Sequence, residues 1–267
     1  MTRSLTSALL YHGPSLIDDS PIRLVATGMA RASLNSKTGA MVQTWIMRAD
    51  MAPTVAVATG ADSAVCGVCP QRPSTGGECY VVTAQAPATI HRSAARGAIP
   101  DYSGNVAMVA NALTRPLRIG AYGEPTAVPF TVWAPLLQAA RRNGWAGYTH
   151  RWAEDIDPRW RQWLMASCET TEQARVAESL GWRVFLATDS APVGMRLAQC
   201  PADPARGTAL RKCADCKACN GTNDTLRKRA GIWVTTHGAR SESRKRGASL
   251  EQRAIARELD RALGPLE

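Results

Sequence analysis

The sequence predicts an α/β fold built on a parallel sheet, a TIM-like (β/α) barrel, complete or incomplete. Apolar, strand-like runs recur along the chain, and each ends in polar residues or glycine. Helical patterns with tight connections stand between the central runs, as a parallel sheet requires. The 267 residues, 45% of them hydrophobic, suffice for one large core. The expected organisation is therefore a single domain over 1–267. An open doubly wound sheet is the alternative, but no G-x-G-x-x-G or G-x-x-x-x-G-K-[ST] phosphate loop follows any strand.

The predicted strands are, in order, "LLYHGPS" (9–15), "MVQTWIMR" (41–48), "PLRIGAYGEP" (116–125), "WAGYTHRW" (145–152), "WLMASCE" (163–169), "WRVFLATDS" (182–190) and "GIWVTTHG" (231–238). Residues 104–114 are weakly helical. The stretch 129–142 reads as a helix with Pro129 in its first turn and Asn143-Gly144 as its stop. The stretch 170–180 opens on a capping box, Thr170-x-x-Gln173, and closes at Gly181. A C-terminal helix over 249–264 follows from a Ser249-x-x-Gln252 cap and a stripe of Ile255, Leu259 and Leu263, with Gly264-Pro265 after it. Residues 239–248 form a polar, basic linker.

Composition near residue 190 shifts towards cysteine. Residues 191–230 hold four of the eight cysteines and few apolar runs, so they read as a metal-stapled insertion on the barrel. Without an export signal, and in a chain this large, x2 spacings favour metal over disulfides. Cys213, Cys216 and Cys219 put three thiolates in seven residues, and Cys200 is a natural fourth ligand. Four sulfur ligands in a closed tetrahedron suit structural zinc. An iron–sulfur cluster is the other chemistry open to them, and His237 is a competing fourth ligand. A second group, Cys66-x2-Cys69 with Cys79, has three thiols. It could bind zinc with a further ligand such as His91, hold an iron–sulfur cluster with one open iron, or stay metal-free. Its spacing is not the C-x3-C-x2-C of radical enzymes. Cys168 stands alone and reads as core.

In a β/α barrel, chemistry sits at the C-terminal ends of the strands. Glu124, Glu169 and Asp189 fall there, with Asp155 and Asp157 further out. Each could cap a helix. Together they offer a carboxylate pair for displacement at an anomeric carbon, one as nucleophile and one as acid/base. Tyr122, Tyr148, His150 and Trp152 lie on the same rim, and rings beside polar groups suit a flat heterocycle such as a nucleobase. Asn35 and Lys37, in "SLNSKTG", either hold a phosphate or make a turn. The net charge of +10 and a sequence pI of about 9.6 favour a polyanionic partner, nucleic acid first. No apolar run reaches bilayer-spanning length, so no membrane partner is expected.

The order "GPSLIDDSPI", "LNSKTGAMVQTWIMR", "CGVCPQRPSTGGECYV", "RIGAYGEPTAVP", "GYTHRW", "LMASCET", "CPADPARGTALRKCADCKACNG" and "GIWVTTHG" resembles phage-encoded proteins with a cysteine-rich barrel. One such set is the phage DNA deazaguanine transglycosylases (DpdA), which are similar to tRNA-guanine transglycosylases. The other is a set of radical-SAM-like phage proteins. The first resemblance implies a zinc-containing pentosyltransferase acting on double-stranded DNA in the host-cell cytoplasm. It would exchange guanine for a free 7-deazaguanine base through a covalent carboxylate–deoxyribose intermediate. Asp189 or Glu124 would be the nucleophile, and Arg227, Lys228, Arg229, Arg244, Lys245 and Arg246 would contact phosphates. The chain departs from the tRNA enzymes at three points. Their C-x-C-x2-C motif is here C-x2-C-x2-C with Cys200 ahead, their "GDSGG" segment is absent with "TDSAP" (188–192) its nearest local echo, and the first cysteine group has no counterpart in them. An iron–sulfur radical enzyme and a non-catalytic, zinc-stapled DNA-binding protein are the competing expectations.

Overall fold

The computed structural model describes residues 5–33, 35–207, 211–222 and 229–236. The chain opens with β1 (Ser7–Pro14), β2 (Pro21–Thr27) and β3 (Val42–Arg48), then α1 (Pro53–Thr59), α2 (Ser63–Cys66), α3 (Ala86–Ala95) and α4 (Val106–Asn111). It continues with β4 (Leu117–Tyr122), α5 (Phe130–Asn143), β5 (Trp145–Thr149), β6 (Met165–Cys168) and α6 (Thr171–Ser179). The described part ends with β7 (Val184–Ala187), β8 (Leu197–Gln199), α7 (Cys213–Cys216) and β9 (Gly231–Val234). The strands form one mixed sheet in the order β1-β2-β3-β4-β5-β6-β7-β9-β8. Among the described residues, no helix is long and apolar enough to cross a membrane.

From β3 onward every pairing is parallel, as the alternation of strand and helix predicts. The other edge differs: β1, β2 and β3 form an antiparallel meander. β2, "PIRLVAT", was not among the expected strands. Ile22, Leu24, Val25 and Ala26 are all buried, so its core-facing run is nearly continuous rather than alternating, and Arg23 interrupts it. β8 is the second unanticipated strand. It lies inside the cysteine-rich insertion and pairs with β9, which in turn pairs with β7. The insertion is therefore woven into the sheet.

Helix α5 shows why its sequence folds as it does. Trp133, Leu136, Leu137 and Ala140 recur at helical spacing and are all fully buried. Pro129 is its N-cap, one residue earlier than a first-turn position. Trp133 and Trp160 meet edge-to-face with ring centroids 6.1 Å apart. Helix α6 carries the expected capping box. Gln173 donates its backbone N–H to Thr170 Oγ1 at 3.2 Å, and Gln173 Oε1 accepts from the Thr170 N–H at 3.3 Å. α1 and α3 were not anticipated. "PTVAVAT" is strand-like in composition, but Pro53 starts it as a helix and Gly60, at φ 79°, ends it in the left-handed region. α3 is short of large apolar side chains, and Pro87 is its buried residue. The helix expected over 249–264, the linker, His237, Arg227, Lys228, Arg244, Lys245 and Arg246 lie outside the described residues.

Candidate functional site

Strands β4, β5, β6, β7 and β9 run parallel, so their C-terminal ends share one edge of the sheet. A cavity of about 250 Å³ opens there. It is just below the roughly 300–1,000 Å³ of drug-sized ligand sites, so it suits one base-sized ring and not a duplex. Its apolar surface comes from Tyr122, Tyr148, Phe185, Ile232 and Val234. Both cysteine groups line it: Cys66, Cys69 and Cys79, and also Cys200, Cys213, Cys216 and Cys219.

Two acids reach this cavity through one histidine. Glu124 stands two residues after β4, behind Gly123, whose φ of 85° and close approach to the Ile46 carbonyl exclude a side chain. Glu124 Oε1 accepts from the N–H and hydroxyl of Thr126 at 3.3 and 3.1 Å, so it does cap the turn that follows. Its Oε2 accepts from the His150 backbone N–H at 3.1 Å. Burial pushes the Glu124 carboxyl up, while the nearby His150 and these hydrogen bonds pull it down less strongly. Glu169 follows β6 directly, and its Oε1 lies 2.9 Å from His150 Nε2. It is not the helix cap, a role Thr170 takes. Gln173 Oε1 accepts from the Glu169 backbone N–H at 2.8 Å and fixes the residue in place. Burial works against a charged His150, but its contacts with Cys69 and Glu169 outweigh burial and raise it.

The other predicted residues divide. Tyr148 lines the cavity, its ring 4.4 Å from Phe185 and 4.7 Å from the Arg118 guanidinium carbon. Tyr122 lines it too, and its buried hydroxyl has no hydrogen-bond partner among the described residues. Lys37 lines it beside Cys200 and Cys213, and its carbonyl accepts from the Cys213 N–H at 3.0 Å. Asn35 makes the turn that presents Lys37: its Oδ1 accepts from the N–H groups of Lys37 and Thr38 at 3.0 and 2.8 Å. Trp152 packs against the core and donates to the Ser167 carbonyl at 3.0 Å. Asp189 is exposed, outside the cavity lining, and hydrogen-bonded to the Thr236 hydroxyl. Arg229 is exposed. Arg118, which the sequence reading passed over, lies buried in the cavity wall. The only sign of it was a charge inside the apolar run "PLRIGAY".

The two thiol groups differ in their surroundings. Burial pushes the Cys66 thiol well up, and neighbouring Cys69 and Cys79 add to the shift. The histidine beside this group is His150, its Nε2 3.8 Å from Cys69 Sγ. His91 sits on α3 near Arg23 and Asp50 instead. In the later group, burial pushes Cys219 up to about 12, and Cys200 and Cys213 contribute. Cys200 is raised by burial, with Cys213 and Cys216 adding. The four late thiols thus act on one another, and an all-sulfur donor set of this size fits zinc. Among the described residues, however, no three His, Cys, Asp or Glu side chains converge as a ready-made metal cage. Cys168 is fully buried on β6. No family model, curated protein or solved structure matches the chain.

Proposed function

We propose that the chain is a pentosyltransferase that exchanges guanine in DNA for a 7-deazaguanine base, on a TIM-like barrel left open at one side. The observation that carries this reading is the pair of carboxylates, Glu124 and Glu169, both bonded to His150 in a base-sized cavity lined with aromatic rings. Glu169 is the nucleophile. It attacks C1′ of the deoxyribose, the bond to guanine N9 breaks, and the bond's electrons leave with the base. Glu124, whose burial favours its protonated form, supplies the proton to the departing guanine. It then takes the proton from the incoming base, which attacks C1′ and frees Glu169. Asp189 has no place in these steps, since it lies outside the cavity. Zinc on Cys200, Cys213, Cys216 and Cys219 would fix the part of the cavity wall that they line. The net charge of +10 supports a DNA partner.

The test is base exchange on duplex DNA with labelled guanine. Glu169→Gln is expected to lose at least about 10³-fold in rate, Glu124→Gln less, and Asp189→Asn little. Full activity in both glutamine variants removes the assignment. A second reading, an iron–sulfur radical enzyme, is favoured by one observation: Cys66, Cys69 and Cys79 face the same cavity. Iron and a brown colour in anaerobically purified protein would support it, and zinc without iron would sink it.

A further inference from the structure

The exchange reaction leaves one group in the cavity unused. Arg118 is 7% exposed. One Nη donates to the Tyr80 hydroxyl at 2.9 Å, and the guanidinium lies over the Tyr148 ring. None of the ion pairs among the described residues involves it. Three acids line the cavity: Glu124 and Glu169 are both committed to His150, and the third is Glu78. A second cation, Lys37, acts on Arg118 from the same wall. A buried charge without an opposite partner costs several kcal/mol, and a guanidinium fork matches the two oxygens of an acid. Four residues further along the same strand, past the irregularity at Gly120, Tyr122 is 5% exposed and its hydroxyl also lacks a partner among the described residues. Both residues line the cavity together with the apolar rings.

We infer that the cavity binds a flat ring system carrying a carboxylate, with Arg118 gripping the acid and the Tyr122 hydroxyl meeting a polar ring edge. The inference rests on the base-exchange reading only in taking that ring to be the incoming base. Two other anions could satisfy Arg118: a DNA phosphate, or the late thiolates themselves.

The test uses the full chain with its metal bound, followed by calorimetry. The probes are 7-carboxy-7-deazaguanine, its neutral 7-carboxamide and inorganic phosphate. The acid is expected to bind about tenfold or more tighter than the amide, the worth of a hydrogen bond to a charged group. In Arg118→Gln that preference should fall to about twofold or less, with zinc content unchanged. Arg118→Lys should keep part of it, and Tyr80→Phe serves if Arg118→Gln does not fold. Equal binding of acid and amide, or binding of neither, overturns the inference. Phosphate binding as tightly as the acid overturns it in favour of the DNA backbone. Loss of zinc from Arg118→Gln with the preference intact assigns Arg118 to the thiolates. Exchange of the neutral base as fast as the acid overturns this inference alone. Tight acid binding without exchange of any base removes the exchange reaction alone.

Discussion

The two cysteine-bearing walls of the cavity are built on different physical principles. The first, residues 60–79, is organised by a buried ion pair. Asp62 is fully buried, and its Oδ1 accepts from Arg72 Nη2 at 2.7 Å and from Ser74 Oγ at 2.7 Å. Arg72 also donates to the carbonyls of Gly60 and Gly67 at 2.9 and 3.2 Å, tying the start of the segment and the turn after Cys66 to one side chain. The second wall, residues 200–219, has no buried ion pair among its described residues. Its start is held by buried Asp203, which accepts from Gln199 Nε2 at 2.9 Å, from the Ala205 N–H at 3.0 Å and from the N–H and hydroxyl of Thr235. Around its last three cysteines backbone bonds hold it at separate points: Cys213 and Ala214 to the turn at Lys37 and Thr38, and Gly147 to the Cys219 carbonyl. In the first wall an ion pair spans the segment that carries Cys66 and Cys69, whereas in the second the buried charge lies beside Cys200 and leaves Cys213, Cys216 and Cys219 on backbone bonds. The later thiols are therefore the ones whose spacing a bound metal, as proposed, would have most to set.

The most damaging change to the first wall should be Asp62→Asn, which strands a buried guanidinium. A loss of about 3–5 kcal/mol is expected, read from urea unfolding, and a loss below about 1 kcal/mol would show that the ion pair does not organise the loop. The second wall should respond to chelation instead. On the proposed zinc site, removing zinc held at a hundredfold excess over its Kd should cost about 2.7 kcal/mol of stability. Tryptic cleavage after Lys212 or Lys217 should rise while the 60–79 loop stays protected. If chelation loosens both walls equally, the distinction between them fails. The smallest effect is expected for Ser74→Ala, which removes one of the donors on Asp62 and should cost about 1–2 kcal/mol without changing metal content.

Much of the parallel half of the fold was legible in the sequence, because its strands end in clear turn signals and α5 and α6 carry textual caps and stops. β2 and β8 were not, for opposite reasons. β2 is too continuously buried to alternate, and β8 is a three-residue strand whose partner lies more than thirty positions on. The rim acids were found by their places at strand ends, but a strand end does not fix depth. Glu124 and Glu169 turn inward, and Asp189 stays in solvent. Sequence proximity singled out His91 for the first cysteines, whereas strand pairing brings His150, 81 positions from Cys69, beside them. Arg118 was hidden by the hydrophobic pattern around it.

β9 lies between β7 and β8, both of which precede it in the chain. During synthesis, then, β7 and β8 emerge from the ribosome with no partner between them. β9, which arrives after both, must slot into that gap before the sheet is complete. A nascent chain stopped short of Gly231 would carry the acids of the rim and all eight cysteines, yet lack the strand that closes the space around them.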